Sequence, residues 1–183
     1  MALVVPSFIG TSGEAIDRQE LIIMLKIDTK FYLVGKESGD FGINIERTKT
    51  EKTTVYGVNK TITAKPIKKS SISAEELTVG NKVHEWVLAH EIEGEQSAFD
   101  NVELLIIYGF YPEGEGKAYA ELHKGSSISF SNLTGAGGGK IAMDSEVTYS
   151  GDITRGSVPL VDIVNAPTEL DVTKFSPRTT PTE

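Results

Sequence analysis

The segment Thr134-Gly135-Ala136-Gly137-Gly138-Gly139-Lys140 has the glycine density and closing lysine of a loop that cradles phosphate. Its spacing defeats that chemistry. Thr134 occupies the first glycine position, Ile141 stands where a Ser or Thr would hold magnesium, and both flanks alternate as strands. A hairpin connection is expected there instead. Gly10-Thr11-Ser12-Gly13-Glu14 sets a serine between glycines but lacks the second glycine of a nucleophile elbow. The three histidines are His84, His90 and His123. His84 and His90 lie six apart on one predicted helix and so do not share a face, which leaves His84 solvated and His90 on the apolar stripe. A zinc site needs several convergent ligands, and the chain has no cysteine to supply thiolate. The carboxylate pairs Glu75-Glu76 and Glu113/Glu115 sit in polar, turn-like surroundings that offer no cause for shifted acidity. Asn59-Lys60-Thr61 and Asn132-Leu133-Thr134 match the glycosylation sequon, but the apolar start lacks a cationic stretch and reaches Pro6 too early for a secretory signal. Catalytic residues, metal sites and cofactors are therefore expected to be absent, and the chain reads as non-enzymatic.

The elements that would position these groups are mostly strands. With 183 residues, 39% of them hydrophobic and 24% charged, the composition suits one globular domain, and no apolar run approaches the length of a membrane span. Leu21 to Lys26 and Phe31 to Val34 are short runs rich in branched and aromatic residues. Phe41, Ile43 and Ile45 alternate with Gly42 and Asn44, and Ile128 and Phe130 with serines; Val102, Leu104, Ile106, Tyr108 and Phe110 fall on one face at period two, as do Ile141, Met143, Val147 and Tyr149. Period-two alternation marks half-buried antiparallel strands. One helix interrupts them: Asn81 caps it, Val83, Trp86, Val87 and His90 form its packing stripe, and Gly94 stops it. The fold class expected is mainly β, a β-sandwich or partly closed barrel with one flanking α-helix. The domain is placed at residues 18–158, between a flexible N-terminal arm (1–17) and a flexible, proline-bearing C-terminal tail (159–183).

Charge is segregated along the chain. Between Ile45 and Lys69 stand seven cations (Arg47, Lys49, Lys52, Lys60, Lys65, Lys68, Lys69) against two anions, and between Glu75 and Glu103 eight anions against Lys82 alone. Exposed ion pairs contribute only about 0–1 kcal/mol within a monomer, so such sorting brings little stability there. Opposite patches on one chain suit head-to-tail association. The basic loop and an acidic patch of Glu75, Glu76, Glu91, Glu93 and Glu95 are accordingly expected to meet across a subunit interface. The polar loop from Thr48 to Asn59 and the two terminal arms would become ordered on a neighbour. A net charge of -8 disfavours a domain built to grip nucleic-acid phosphates.

This pattern resembles the tail tube (major tail) proteins of long-tailed bacteriophages. The resemblance lies in Phe41-Gly42-Ile43-Asn44-Ile45-Glu46-Arg47 running into a threonine- and lysine-rich loop, and in the strands from Thr61 to Ser73 leading into the helix Asn81 to Glu93. It continues through the long strands Val102 to Phe110 and Lys117 to Phe130 and closes on Glu146-Val147-Thr148-Tyr149-Ser150-Gly151-Asp152-Ile153-Thr154-Arg155-Gly156-Ser157-Val158. It implies a structural virion protein, assembled in the host cytoplasm, whose copies form homo-hexameric rings that stack into a tube. Tape-measure, terminator and baseplate proteins would be its partners, and DNA would be passing cargo repelled by an acidic lumen. The alternative is a small ligand-binding module, for instance for carbohydrate, using Phe31, Tyr32, Tyr108, Phe110, Tyr111 and Tyr119.

Overall fold

The computed structural model describes residues 7–178 apart from 11, 37, 39, 40, 54, 56, 58, 136, 150 and 151, and leaves aside the side chains of Lys52, Asn59, Lys60, Ile62 and Thr63. The strands are β1 (Leu21–Ile27), β2 (Lys30–Leu33), β3 (Asn44–Glu46), β4 (Lys49–Thr53), β5 (Asn59–Thr63) and β6 (Ile67–Glu76), followed by the helix α1 (Lys82–Glu93). Then come β7 (Val102–Pro112), β8 (Lys117–Thr134), β9 (Ala142–Tyr149), β10 (Ile153–Pro159), β11 (Glu169–Asp171) and β12 (Ser176–Pro177). Among the described residues ten strands form one sheet in the order β11-β2-β1-β7-β8-β9-β6-β3, with β10 on β8 and β12 on β10. Its end strands do not pair with each other, so the mainly-β fold is an open sheet and not a closed barrel.

β8 divides this sheet in two. Its first part pairs with β10 up to His123 and with β7 up to Ser126, while Ser127 to Thr134 pairs with β9. Gly125, at φ 73°, lies at the handover, where the left-handed backbone admits glycine at least cost. The result is a wide half (β11, β2, β1, β7, β8, β10, β12) and a narrow half (β8, β9, β6, β3). Between them lies one core, made of Ile23, Leu25, Leu104 and Ile106 from the wide half and Ile72, Ile128, Met143 and Val147 from the narrow half. Val83 and Val87 of α1 close it. The helix has the expected ends: Asn81 accepts from the Val83 and His84 amides, and Gly94 is its left-handed cap.

A second core lies on the other face of the wide half. There Ile22, Met24, Leu105, Ile107 and Val158 pack against Ile163, Leu170 and Phe175. This corrects the expected flexible tail for residues 159–177. Apolar residues scattered through a polar-looking stretch fold back over the sheet, β11 pairs with β2, and β12 pairs with β10. At Gly156 an added Cβ would lie 2.3 Å from the Ser176 carbonyl oxygen, so the returning chain rests directly on that glycine. The tail's last residues, 179–183, and the arm's first, 1–6, lie outside the described residues. Within the N-terminal arm Phe8 and Ile9 lie against β7: the Ile9 amide donates to the Phe110 carbonyl at 2.9 Å, and the Phe8 ring meets Phe110 edge-on.

Candidate assembly interface

The expected polar loop is a hairpin. β4 and β5 pair from Lys49↔Thr63 to Thr53↔Asn59 and form a two-stranded sheet of their own, joined to no other strand among the described residues. A lone two-stranded ribbon is marginally stable in water. This arm springs from the β3–β6 edge, with Ala64 donating to the Thr48 carbonyl at its root. Its sequence explains its isolation. Lys49, Thr50, Glu51 and Thr53 are all exposed, so no side of β4 has an apolar face to bury.

The structure divides the expected basic residues into three groups. Arg47, Lys49 and Lys65 are exposed on or beside the arm, while the side chains of Lys52 and Lys60 lie outside the described residues. Lys69 is half-buried, with Nζ 3.9 Å from Glu46. Lys68 does not belong to the docking surface expected of it. Its ammonium pairs with Glu121 between the two halves of the sheet and donates to the Tyr108 hydroxyl at 2.9 Å. Alternation along β6 explains this: Lys68 points inward with Ser70 and Ile72, and Lys69 outward.

Glu121 collects the polar groups of this inner end. Tyr119 donates to Oε1 at 2.9 Å, Tyr108 to Oε2 at 3.3 Å, and His123 Nε2 lies 3.4 Å away. Burial alone would raise the Glu121 carboxyl; hydrogen bonds from His123, Lys68 and Tyr119 and the Lys68 charge override it and hold the carboxyl at about 2. Burial, followed by the Glu121 charge, pushes the Tyr108 and Tyr119 hydroxyls upward. The pair anchors β6 to β8 across the sandwich. His123 and Glu121 stand two apart on β8, so alternation along the strand puts both on the same face.

The acidic patch also splits. Glu75 is 1% exposed, and its Oε1 lies 3.1 Å from Nε2 of His84, itself 2% exposed. Neither is a surface group, which corrects both the interface role expected of Glu75 and the solvated His84. The register shift between Ile72 and Glu75, at Ala74 with φ 51°, turns Glu75 inward. His84 Nδ1 accepts from the Thr78 amide at 3.0 Å, and its Nε2 lies 3.3 Å from the Asn81 side-chain nitrogen as well as beside Glu75. Glu76 is half-exposed and paired with Lys140. Glu91, Glu93 and Glu95 are exposed at the end of α1, where Glu95 lies 2.7 Å from His90 Nδ1. In the packing stripe Val83 and Val87 are buried, and Trp86 meets His90 and Phe99 at 4.7 and 5.6 Å between ring centroids.

The aromatic residues considered for a ligand do not form a platform. Phe31 belongs to the second core. Tyr111 and Tyr119 stand at 66° to each other, Tyr108 and Phe110 at 85°, and both the Tyr108 and Tyr119 hydroxyls are committed to Glu121. The glycine-rich segment connects β8 to β9, as expected of a hairpin connection, with Ala136 outside the described residues.

The open margins of the narrow half are the other feature of this region. Among the described residues, no strand pairs with Ser127–Thr134 on the side away from β9. On the far margin, among the described residues, β6 beyond Lys69 is met by a bridge from Phe41 to Ile72 and by the Ser38 hydroxyl, which donates to the Ser73 carbonyl at 3.2 Å.

No protein-family model matches the chain, and no curated protein matches it. Among solved structures it is similar to a sheath/tube terminator of an extracellular contractile injection system in the extended state, at 8% identity and TM-score 0.48, covering 79% of this chain and 99% of that one. It is also similar to a chain of the sheath–tube complex of such a system, at 6% identity and TM-score 0.46, covering 80% and 95%. A third is the tube-terminating cap of the anti-feeding prophage, at 12% identity and TM-score 0.45, covering 81% and 95%.

Proposed function

We propose that this chain is a structural, non-catalytic component of a phage-tail-like tube, and that its copies associate head to tail. The observation that carries this reading is the unequal treatment of strand margins. β11 and β12 cover margins of the wide half, whereas Ser127–Thr134 is left open and a basic two-stranded arm stands unsupported. A heterologous contact between an arm and a remote surface of the next copy closes into a ring or continues as a filament. The exposed cations Arg47, Lys49 and Lys65 of one copy face Glu91, Glu93 and Glu95 of the next, joined by Glu76 at the rim. The outer face of the narrow half, where Glu146 is flanked by Ser71 and Ser129 across the register, lines the channel. On this face the Glu146 carboxylate repels passing phosphates, and Lys69, the cation of the same face, lies beside Glu46. Hexameric rings, with tape-measure, terminator and baseplate proteins as partners, are the finer form of this reading.

The test is electron microscopy with light scattering on concentrated protein over a range of salt. Rings or tubes that loosen as salt rises are expected. A compact monomer under every condition overturns the proposal.

A further inference from the structure

The free margin of β8 has features beyond an absent neighbour. Exposed strand edges are ordinarily protected by lysine, proline or inward-pointing charge. Ser127-Ile128-Ser129-Phe130-Ser131-Asn132-Leu133-Thr134 has neither charge nor proline, and its one irregularity is the register shift between Phe130 and Asn132. Beside it runs a groove of about 190 Å³ between α1 and β8, lined by Val87, Leu88, Phe130, Leu133 and Met143 with Glu91 at its rim. Leu133 is 58% exposed and Ile92, on the same helix, 79%. An extended segment laid along this margin would find backbone partners on one side and an apolar slot for alternate side chains, the recognition mode of strand addition.

The arm is an occupant of matching chemistry. β4 and β5 are extended and unsupported, β5 contains the β-branched run Thr61-Ile62-Thr63, and the arm with its root has an excess of cations. The groove rim is acidic: Glu91 lines it, and Glu93 and Glu95 follow on the same end of α1. The arm leaves its own molecule at the β3–β6 margin, while the groove lies at the β8 margin across β9. The two are therefore complementary surfaces at opposite margins of the narrow half. We propose that the β8 margin Ser127–Thr134 and the α1 groove beside it receive the β4–β5 arm of a second copy, which adds a strand to the sheet. This rests on the head-to-tail reading and specifies its contact.

The chain has no cysteine, so engineered pairs report contacts without background. Thr50→Cys or Thr61→Cys protein, mixed under mild oxidation with Ser129→Cys, Ser131→Cys or Leu133→Cys protein, is expected to give mixed disulfide dimers. Their yield should exceed that with Val161→Cys, an exposed position on the wide half, by roughly tenfold. Adding Glu91→Lys to the β8-margin partner should reduce the yield, and circular dichroism checks that each variant is folded. Rings or tubes by microscopy without preferential cross-linking at any of the three β8 positions overturn the arm-to-β8 contact alone. Folded protein that shows neither particles nor cross-links overturns the head-to-tail reading itself.

Discussion

The two halves of the sheet solve the same problem in opposite ways. The wide half buries both faces of β1 and β7 and covers margins with its own C-terminal segment, so its strands are completed within one chain. Among the described residues the narrow half buries one face, presents serines, threonines and acids with Lys69 on the other, and leaves a long margin of β8 unpaired. Exposed margins are aggregation hazards that proteins usually blunt. In the proposed assembly the C-terminal segment covers one half within the chain, and the unpaired β8 margin of the other is covered by a neighbouring copy.

The largest expected effect lies at the inner bond between the halves. Lys68→Met would leave the Glu121 carboxylate buried without its ammonium, at a cost of about 3–5 kcal/mol in urea unfolding. Combining Lys68→Met with Glu121→Gln removes both charges and should recover much of that loss. If Lys68→Met alone is neutral, the ion pair does not tie the halves together. The same pair sets a dependence on acid. The Glu121 carboxyl falls from an ordinary 4.5 to about 2 on folding. A depressed carboxyl contributes stability that is fully present above the unfolded value and is lost as pH falls through the folded one. The wild type should therefore lose stability more steeply than Glu121→Gln between about pH 4.5 and 2. Parallel profiles would contradict this.

Next in size is the covered margin. Gly156→Val places a side chain where Ser176 and Phe175 already sit, and overpacking of this kind costs about 1–3 kcal/mol. The variant should also lose protection from proteolysis after Pro159, because β12 can no longer lie on β10. Unchanged cleavage there would show that β12 is incidental to the cap.

How far this contrast was legible in the sequence depended on which residues the margins use. Alternation in Ile128-Ser129-Phe130 and in Met143 to Tyr149 identified strands with one wet face, and Asn81 with Gly94 delimited the helix because capping chemistry is local. The second core was missed although its signal was present. Leu21-Ile22-Ile23-Met24-Leu25 and Leu104-Leu105-Ile106-Ile107 are unbroken apolar runs, the pattern of strands buried on both faces, and something had to cover the second face. Leu170 and Phe175, isolated among prolines and threonines, gave no periodicity by which to recognise that cover. The segregated charges were visible, but Lys68 and Glu75 could not be told from their exposed neighbours. Orientation on β6 depends on pairing and on the irregularity at Ala74, neither of which a linear pattern records.

The smallest effect on folding is expected from the arm. Lys49 and Lys65 are exposed and belong to neither core, so reversing both to Glu should change unfolding by no more than about 0.5 kcal/mol. Their effect on association should be large by comparison, because like charges would then face Glu91, Glu93 and Glu95. The loss should be greatest at low salt and shrink as screening shortens the reach of both patches. Lys68 is left out of this reversal, since changing it would unfold the wide and narrow halves from each other and conceal the result. Sedimentation of the double variant across salt concentrations separates the two contributions. Association unchanged at low salt would mean that the arm's cations face solvent in the assembly, and that shape and strand pairing alone bring the copies together.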